Sequence, residues 1–167
     1  MKAVDVLGLN VEVASGSPMV LLREHDAPHR LLPIFVGGRE AVAIALALNG
    51  EAPPRPLTHD LLAALIDSLD VEVDHVEVTE VRDGTFLAEL ALHAPRGDVN
   101  VDSRPSDAIA LALRVDAPVF ASEAVLDEAA AVVAMVVEDE EIDQDVERFR
   151  SFLTEIDPAD FEDPPPG

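Results

Sequence analysis

Three short segments combine acidic residues with arginine, and in one case with histidine, at points where helices are predicted to begin. The first reads RPLTHD over residues 55–60, the second reads DSRPSD over 102–107, and the third is the pair Arg39–Glu40. Free backbone N–H groups at a helix N-terminus and a nearby arginine together suit a phosphate group. Carboxylates can hold hard divalent cations, which polarise a phosphate and activate water. These segments therefore indicate chemistry on a phosphodiester.

Each candidate residue has a predicted role in that chemistry. His59 is the predicted general base or an additional metal ligand, because an imidazole can take up a proton near neutral pH. The full set is His59, Asp60, Arg55 and Arg104 for catalysis, Arg39, Arg55 and Arg104 for phosphate binding, and Asp102 and Asp107 for a bound Mg²⁺ or Mn²⁺.

A structural interpretation explains many of the same residues. Ser, Thr and Asp are ordinary N-caps, and an acid in the first helical turn suits the helix dipole, which accounts for Thr58, Ser106 and Asp107. Arg39 and Arg104 could instead form ion pairs with the nearby acids and fasten two parts of the chain together. Both interpretations stay open at the level of the sequence.

The elements that must position these residues belong to an internal repeat. The hexapeptide AIALAL occurs at Ala43–Leu48 and again at Ala108–Leu113, and the same offset aligns Arg39 with Arg104. A VEV triplet recurs at that offset too. One gapless register through separate segments indicates duplication rather than an accident of composition.

Each copy predicts three strands and then a helix. The predicted strands are 4–13, 19–23 and 31–36 in the first copy and 71–78, 85–93 and 98–101 in the second, and the helices run from about 39 to 48 and from 105 to 113. Both helices are apolar nearly all round, so both are predicted to be buried. The predicted fold class is α+β, with two β-β-β-α repeats in which a mostly antiparallel or mixed sheet packs on buried helices.

The repeat lies within a predicted domain of residues 1–135, with copies at about 1–50 and 66–115. Between the copies, Thr58 is the predicted N-cap of another helix. After the second copy comes a short strand at 118–121, and Ser122 begins a helix that runs to about Met135. Residues 136–167 are predicted to be an acidic extension, with a short amphipathic helix and a disordered tail.

Composition narrows the functional classes. The 167 residues carry a formal net charge of −23, which disfavours non-specific binding to polyanions, so nucleic acid would need a local site. With no cysteine there is neither a disulfide nor a thiolate zinc site. No apolar run approaches the roughly 18 residues of a membrane span, so no membrane partner is predicted and the expected location is the cytoplasm.

Several segments together resemble the bifunctional nuclease family. They are RPLTHDLL, DGTFLAEL and VDSRPSDAIALALRVDAPVF, and the resemblance covers about residues 4–129. It implies a compact α+β domain that hydrolyses DNA and RNA with little sequence preference and forms a homodimer or a higher homo-oligomer. It implies no agreed catalytic set, so the site is argued from the residues above.

A second function remains open beside the nuclease. The domain could be a non-catalytic, oligomeric regulatory or scaffold module whose arginine–acid pairs are structural and whose acidic C-terminal helix binds a partner. The small number of basic residues favours this alternative, whereas the long match to the family favours the nuclease.

Overall fold

The structure is a computed structural model, and it describes residues 1–130. Its strands are Lys2–Val11 (β1), Pro18–Glu24 (β2), Leu31–Phe35 (β3), Glu72–Arg82 (β4), Thr85–Ala94 (β5), Gly97–Ser103 (β6) and Val119–Ala121 (β7). Its helices are Gly38–Leu48 (α1), Thr58–Ser68 (α2), Pro105–Val115 (α3) and Glu123–Ala129 (α4). In this part of the chain no helix is long and apolar enough to cross a membrane. The predicted extension 136–167, and the predicted end of the last helix at Met135, lie outside the described residues.

All seven strands form one sheet in the order β3-β2-β1-β7-β4-β5-β6. Neighbouring strands are antiparallel except β7 and β4, which are parallel. The short strand β7 therefore joins two three-stranded antiparallel halves. This mixed sheet with its helices confirms the predicted α+β class.

The order β-β-β-α occurs in both halves, first as β1–β3 with α1 and then as β4–β6 with α3. The β4–β5 hairpin turns at Asp83–Gly84, a residue pair typical of hairpins, and both residues have positive φ, as a type I′ turn requires. The shared element order agrees with the repeat, while its origin by duplication stays a prediction.

The hydrophobic core lies between one face of the sheet and the helices. Alternate side chains of β2, such as Val20 and Leu22, are fully buried, as the two-residue period of a strand requires. Helix α3 is buried over seven of its residues, which confirms its prediction. The matching prediction for α1 is wrong, since only Ala43 and Ile44 are buried there and Val42 is 58% exposed. Helix α3 therefore lies at the centre of the core, and α1 lies at its side.

The starts of two helices test the predicted N-caps. Ser122 is the N-cap of α4, and its hydroxyl accepts a hydrogen bond from the Val125 N–H, as predicted. The prediction for Thr58 is wrong, because Thr58 is already helical and Leu57 is the N-cap residue. The carboxylate of Asp60 accepts the Leu57 N–H at 2.8 Å, so an acid in the first turn satisfies the backbone donor that precedes the helix.

A buried ion pair fastens α4 to the sheet. Arg30 donates two hydrogen bonds, at 2.8 and 2.9 Å, to the carboxylate of Glu24, whose residue is only 1% exposed. The same guanidinium reaches Glu123 and Asp127 of α4, each at 2.7 Å. The Arg30 hydrogen bonds hold the pKa of Glu24 below its ordinary value despite the burial.

Replacing Arg30 tests whether this ion pair supports the fold. We expect Arg30→Ala to lower the free energy of unfolding by about 3–5 kcal/mol, because the Glu24 carboxylate would stay buried without a partner. Urea unfolding followed by circular dichroism measures the change. Arg82→Ala, which removes an exposed ion pair to Glu80, is the control and should leave the unfolding midpoint unchanged. Equal effects of the two variants would contradict the proposed role of Arg30.

Candidate functional site

The N-termini of three helices meet through charged side chains. Helix α3 packs against both α1 and α2, and each helix carries an acidic residue in its first turn. These acids are Glu40 in α1, Asp60 in α2 and Asp107 in α3. Two of these acids contact a residue at the start of another helix: Glu40 contacts Arg104, and Asp107 contacts His59.

Asp107 is the central residue of this arrangement. One carboxylate oxygen, Oδ1, lies 3.0 Å from Nε2 of His59 on α2. The other oxygen, Oδ2, accepts a hydrogen bond from Nε of Arg104 at 2.8 Å. One carboxylate thus fixes the orientation of an imidazole and of a guanidinium. Asp107 lies in the first turn of α3 and is paired with Arg104, as the structural interpretation also allows, whereas no side chain caps this helix.

Arg104 extends the contact to the third helix. Its Nη2 donates to Oε1 of Glu40 at 2.8 Å. Gly37, which precedes α1, leaves room for that carboxylate, since a Cβ at position 37 would collide with Oε2 of Glu40. Arg104 therefore forms an ion pair of the predicted kind, and this pair joins the start of α3 to the start of α1. We call His59, Asp107, Arg104 and Glu40 the helix-start cluster.

A second contact fixes α2 on α3. Nε of Arg114 donates to Oδ1 of Asp60 at 2.5 Å, and Nη1 of the same residue donates to the Ala110 carbonyl at 2.7 Å. This pair is on the wall of an open cavity of about 430 Å³ between the end of α1 and the start of α2. The ion pair between Asp60 and Arg114 therefore joins the start of α2 to α3.

Burial and hydrogen bonding act in opposite directions on the cluster carboxylates. Burial is the largest single influence on Asp107 and raises its pKa, but the hydrogen bonds from Arg104 and His59 act together with the charge of Arg104, and the pKa lies below its ordinary value. The hydrogen bond from Arg104 lowers the pKa of Glu40, and the one from Arg114 lowers that of Asp60. All three side chains therefore favour the ionised form.

Exposure differs sharply along the cluster. The His59 side chain is 11% exposed and that of Asp107 is 31% exposed, whereas 66% of the Arg104 side chain is exposed. The guanidinium therefore lies at the surface above a largely buried imidazole. Among residues 1–130, Nη1 of Arg104 has no hydrogen-bond partner, which leaves one donor edge toward solvent.

The other predicted site residues are not joined to this cluster. Arg39, Arg55 and Asp102 are all exposed, and none makes a side-chain hydrogen bond or ion pair within the described part of the chain. Of the predicted set, the structure brings together His59, Arg104 and Asp107, and it places Asp60 one residue away in a separate pair.

The predicted metal ligands do not form a ready site. A Mg²⁺ or Mn²⁺ site built by the protein needs several oxygen ligands around one point. Over residues 1–130 no group of three or more His, Asp or Glu side chains is suitably arranged to hold a metal ion. Moreover, the guanidinium of Arg104 already stands between Asp107 and Glu40. The described residues therefore do not fit a protein-held cation in this arrangement.

Two residues of the arrangement are not among the predicted site residues. Glu40 lies in a first helical turn, three residues after a glycine, and this position is a usable signal in the sequence. Arg114 lies two turns after Asp107 on α3. Residues seven apart share a helix face, so Arg114 could have been expected to meet the same neighbouring helix as Asp107.

Fold and site together define a class: an α+β domain in which a shared carboxylate and an exposed arginine join the starts of three helices. A family model described as bifunctional nuclease domain matches residues 20–134. The chain therefore belongs to the bifunctional nuclease domain family.

Individual relatives agree with this assignment. The chain is 40% identical over 165 residues to the uncharacterized protein Rv1829 of Mycobacterium tuberculosis, covering 96% of this chain and 98% of that protein. It is 31% identical over 116 residues to Bifunctional nuclease 2 of Oryza sativa subsp. japonica, covering 67% of this chain and 35% of that protein. Bifunctional nuclease 2 of Arabidopsis thaliana is 33% identical over 104 residues, which cover 60% and 31% of the two chains.

The lowered carboxyl pKa values predict how stability depends on pH. A carboxyl whose folded pKa lies below its unfolded value contributes stability that is present above the unfolded pKa and is lost as the pH falls through the folded one. We expect the free energy of unfolding to decrease below about pH 4. Asp107→Asn should be about 1–2 kcal/mol less stable at pH 7 and should converge with the natural protein near pH 2.5.

Urea unfolding at pH 7, 4 and 2.5 measures both quantities. Asp83→Asn, in the exposed β4–β5 turn, is the matched control and should keep the full pH dependence. A constant difference between Asp107→Asn and the natural protein at every pH would show that the ionised carboxylate is not what stabilises the cluster.

Proposed function

We propose that the protein is a nuclease that hydrolyses phosphodiester bonds of DNA and RNA with little sequence preference, and that the helix-start cluster is its active centre. Membership of the bifunctional nuclease domain family supports the activity. The position of an exposed arginine beside a carboxylate-oriented imidazole supports the location. The observation that carries the assignment is the pair of contacts that Asp107 makes, one to His59 and one to Arg104.

Arg104 is the proposed phosphate-binding residue. Two carboxylates hold its Nε and Nη2, so the guanidinium is oriented before a ligand arrives. The remaining edge can donate to a non-bridging phosphate oxygen and stabilise the charge that develops there. Arg39 and Arg55, both exposed, are proposed to contact neighbouring phosphates of the strand. A backbone contact of this kind carries no base specificity.

His59 is the proposed general base. The hydrogen bond between Nε2 and Asp107 sets the ring orientation, as a carboxylate partner does in other acid–base pairs. Because little of the ring is exposed, it would take a proton from a single water or ribose hydroxyl held at the opening rather than from bulk solvent. Assistance by Mg²⁺ or Mn²⁺ stays a prediction, since the described residues offer no group that fits the cation.

One observation favours the alternative of a non-catalytic scaffold. Two carboxylates surround the single guanidinium of Arg104, and the three groups join α1 to α3. The same geometry would serve a purely structural ion-pair network. The two functions differ in what conservative variants do, because a structural network tolerates a neutral hydrogen-bonding replacement better than a proton-transfer site does.

A cleavage assay with conservative variants separates the two functions. We expect His59→Gln to lower the rate of cleavage of circular single-stranded DNA and of RNA by about 100-fold or more, because glutamine cannot accept the proton. Arg104→Lys should raise the substrate concentration needed for half-maximal rate, because lysine cannot bridge both carboxylates and a phosphate. Assays with Mg²⁺, Mn²⁺ and a chelator test the metal prediction.

Arg82→Lys, a distant exposed arginine, is the matched control and should cleave as the natural protein does. Unfolding midpoints of all variants are measured in parallel to exclude loss of structure. If His59→Gln is well folded and cleaves at the natural rate, the cluster is not the active centre, and if no folded form cleaves either substrate, the scaffold is the better account.

A further inference from the structure

The open cavity beside Arg114 has mostly apolar walls. It measures about 430 Å³, and sites for small molecules usually measure roughly 300–1,000 Å³. The apolar part of the wall comes from Leu46 and Ala47 of α1, Leu113 of α3, and Pro53 and Pro56 of the loop between α1 and α2. The two prolines have no backbone N–H. A flat apolar group would therefore find contacts on several sides of this cavity.

One guanidinium lies in the same wall with a donor group to spare. Nε of Arg114 donates to Asp60 and Nη1 donates to the Ala110 carbonyl, whereas Nη2 has no hydrogen-bond partner within residues 1–130. The Arg114 side chain is only 9% exposed. In the described part of the chain, no side-chain nitrogen or oxygen is both fully buried and without a partner. Nη2 therefore keeps some contact with solvent, and the cavity that Arg114 lines provides it.

The charges around the cavity disfavour an anion as its ligand. Asp60 already pairs with Arg114, and Glu51 is a second acid in the wall. A phosphate or a carboxylate would therefore meet two carboxylates and one guanidinium. A neutral group that accepts a hydrogen bond and buries apolar surface suits the donor and the walls better. A nucleobase has both properties, because it is flat and carries acceptor atoms on its edge.

The cavity lies next to the helix-start cluster. His59 belongs to that cluster, and the next residue, Asp60, lines the cavity. Asp107 and Arg114 are seven residues apart on one face of α3, which separates them by about 10 Å along the helix axis. A strand whose phosphate contacts Arg104 can therefore bring a neighbouring base to the cavity.

We propose that this cavity is a subsite for one nucleobase of the bound strand, with Nη2 of Arg114 donating a hydrogen bond to an acceptor on the base edge. The inference rests on the proposed nuclease function and adds one base to the phosphate contacts described above. Because every base carries acceptors and the apolar walls contact only its ring, the subsite tolerates all four bases. It favours single strands, since a base that is stacked and paired in a duplex cannot enter.

Removing the bases from the ligand tests the subsite. The probes are a short single-stranded phosphorothioate oligonucleotide and its abasic counterpart, which has the same backbone without bases. We expect the natural protein to bind the abasic strand at least ~5-fold more weakly by isothermal titration calorimetry, because holding one base strengthens single-strand binding by about that factor or more. Both probes resist cleavage, so the result does not depend on turnover.

Three variants locate the effect. Ala47→Leu fills the cavity from its wall and should bind both probes equally, with the affinity that the natural protein has for the abasic strand. Ala64→Leu makes the same change at an exposed position of α2 outside the cavity and should bind both probes as the natural protein does. Arg114→Lys keeps the charge opposite Asp60 but lacks the planar fork, so it should reduce the difference between the probes. Unfolding midpoints are measured for each variant.

The outcomes separate the subsite from the proposed function. Equal affinity of the natural protein for the two probes would overturn the subsite, while cleavage of DNA and RNA that depends on His59 would leave the active centre in place. A preference for the base-bearing strand that persists in folded Ala47→Leu would also overturn the subsite, since the base would then bind elsewhere. Failure of the natural protein to bind either probe would contradict both proposals.

Discussion

The carboxylate of Asp107 is the constraint on which the rest of the site depends. It is shared between His59 of α2 and Arg104, at the start of α3, and Arg104 in turn reaches Glu40 of α1. Removing that one charge would release the imidazole and would leave the guanidinium held by Glu40 alone, so the start of α2 would lose its link to the starts of α1 and α3. The carboxylate favours the ionised form in its partly buried position because its hydrogen bonds and the charge of Arg104 lower its pKa despite the burial. Structure and proposed chemistry therefore depend on the same group.

Two separate charged clusters fasten the helices, one at α4 and one at the starts of α1, α2 and α3. Arg30 and Glu24 form a buried pair that secures α4, and because its groups are nearly inaccessible, we assign it a structural role. The helix-start cluster secures α1, α2 and α3, but one of its members is largely exposed, which a purely structural pair does not require. This difference in exposure is the physical reason for placing a ligand at Arg104 rather than at Arg30. It also explains how a chain of net charge −23 could bind a polyanion, since one oriented guanidinium acts locally.

Local signals in the sequence predicted most of the fold. The Asp-Gly turn at 83–84 defines the β4–β5 hairpin, and the apolar run before Arg114 predicts a buried α3. The same apolar pattern misled for α1, because periodicity describes a helix but does not say which of two similar helices occupies the centre. Thr58 was assigned as an N-cap by residue type, whereas the competing carboxylate of Asp60 decides where α2 begins.

The contact between His59 and Asp107 joins residues 48 positions apart, and it depends on how α2 packs on α3, which no local pattern encodes. Choosing acids, arginines and a histidine at predicted helix starts identified His59, Arg104 and Asp107, whereas Glu40 was given no role because its partner comes from the other half of the chain.

The most direct measurement of the central claim is a binding experiment that does not depend on turnover. Isotope-labelled protein is titrated with a short single-stranded phosphorothioate oligonucleotide, which resists cleavage, and backbone amide resonances are followed by NMR. The account predicts that the largest shifts fall at the starts of α1, α2 and α3, around Glu40, His59 and Arg104, and that Asp107→Asn weakens the binding. Saturable binding whose shifts lie on other surfaces, or binding that Asp107→Asn leaves unchanged, would contradict it.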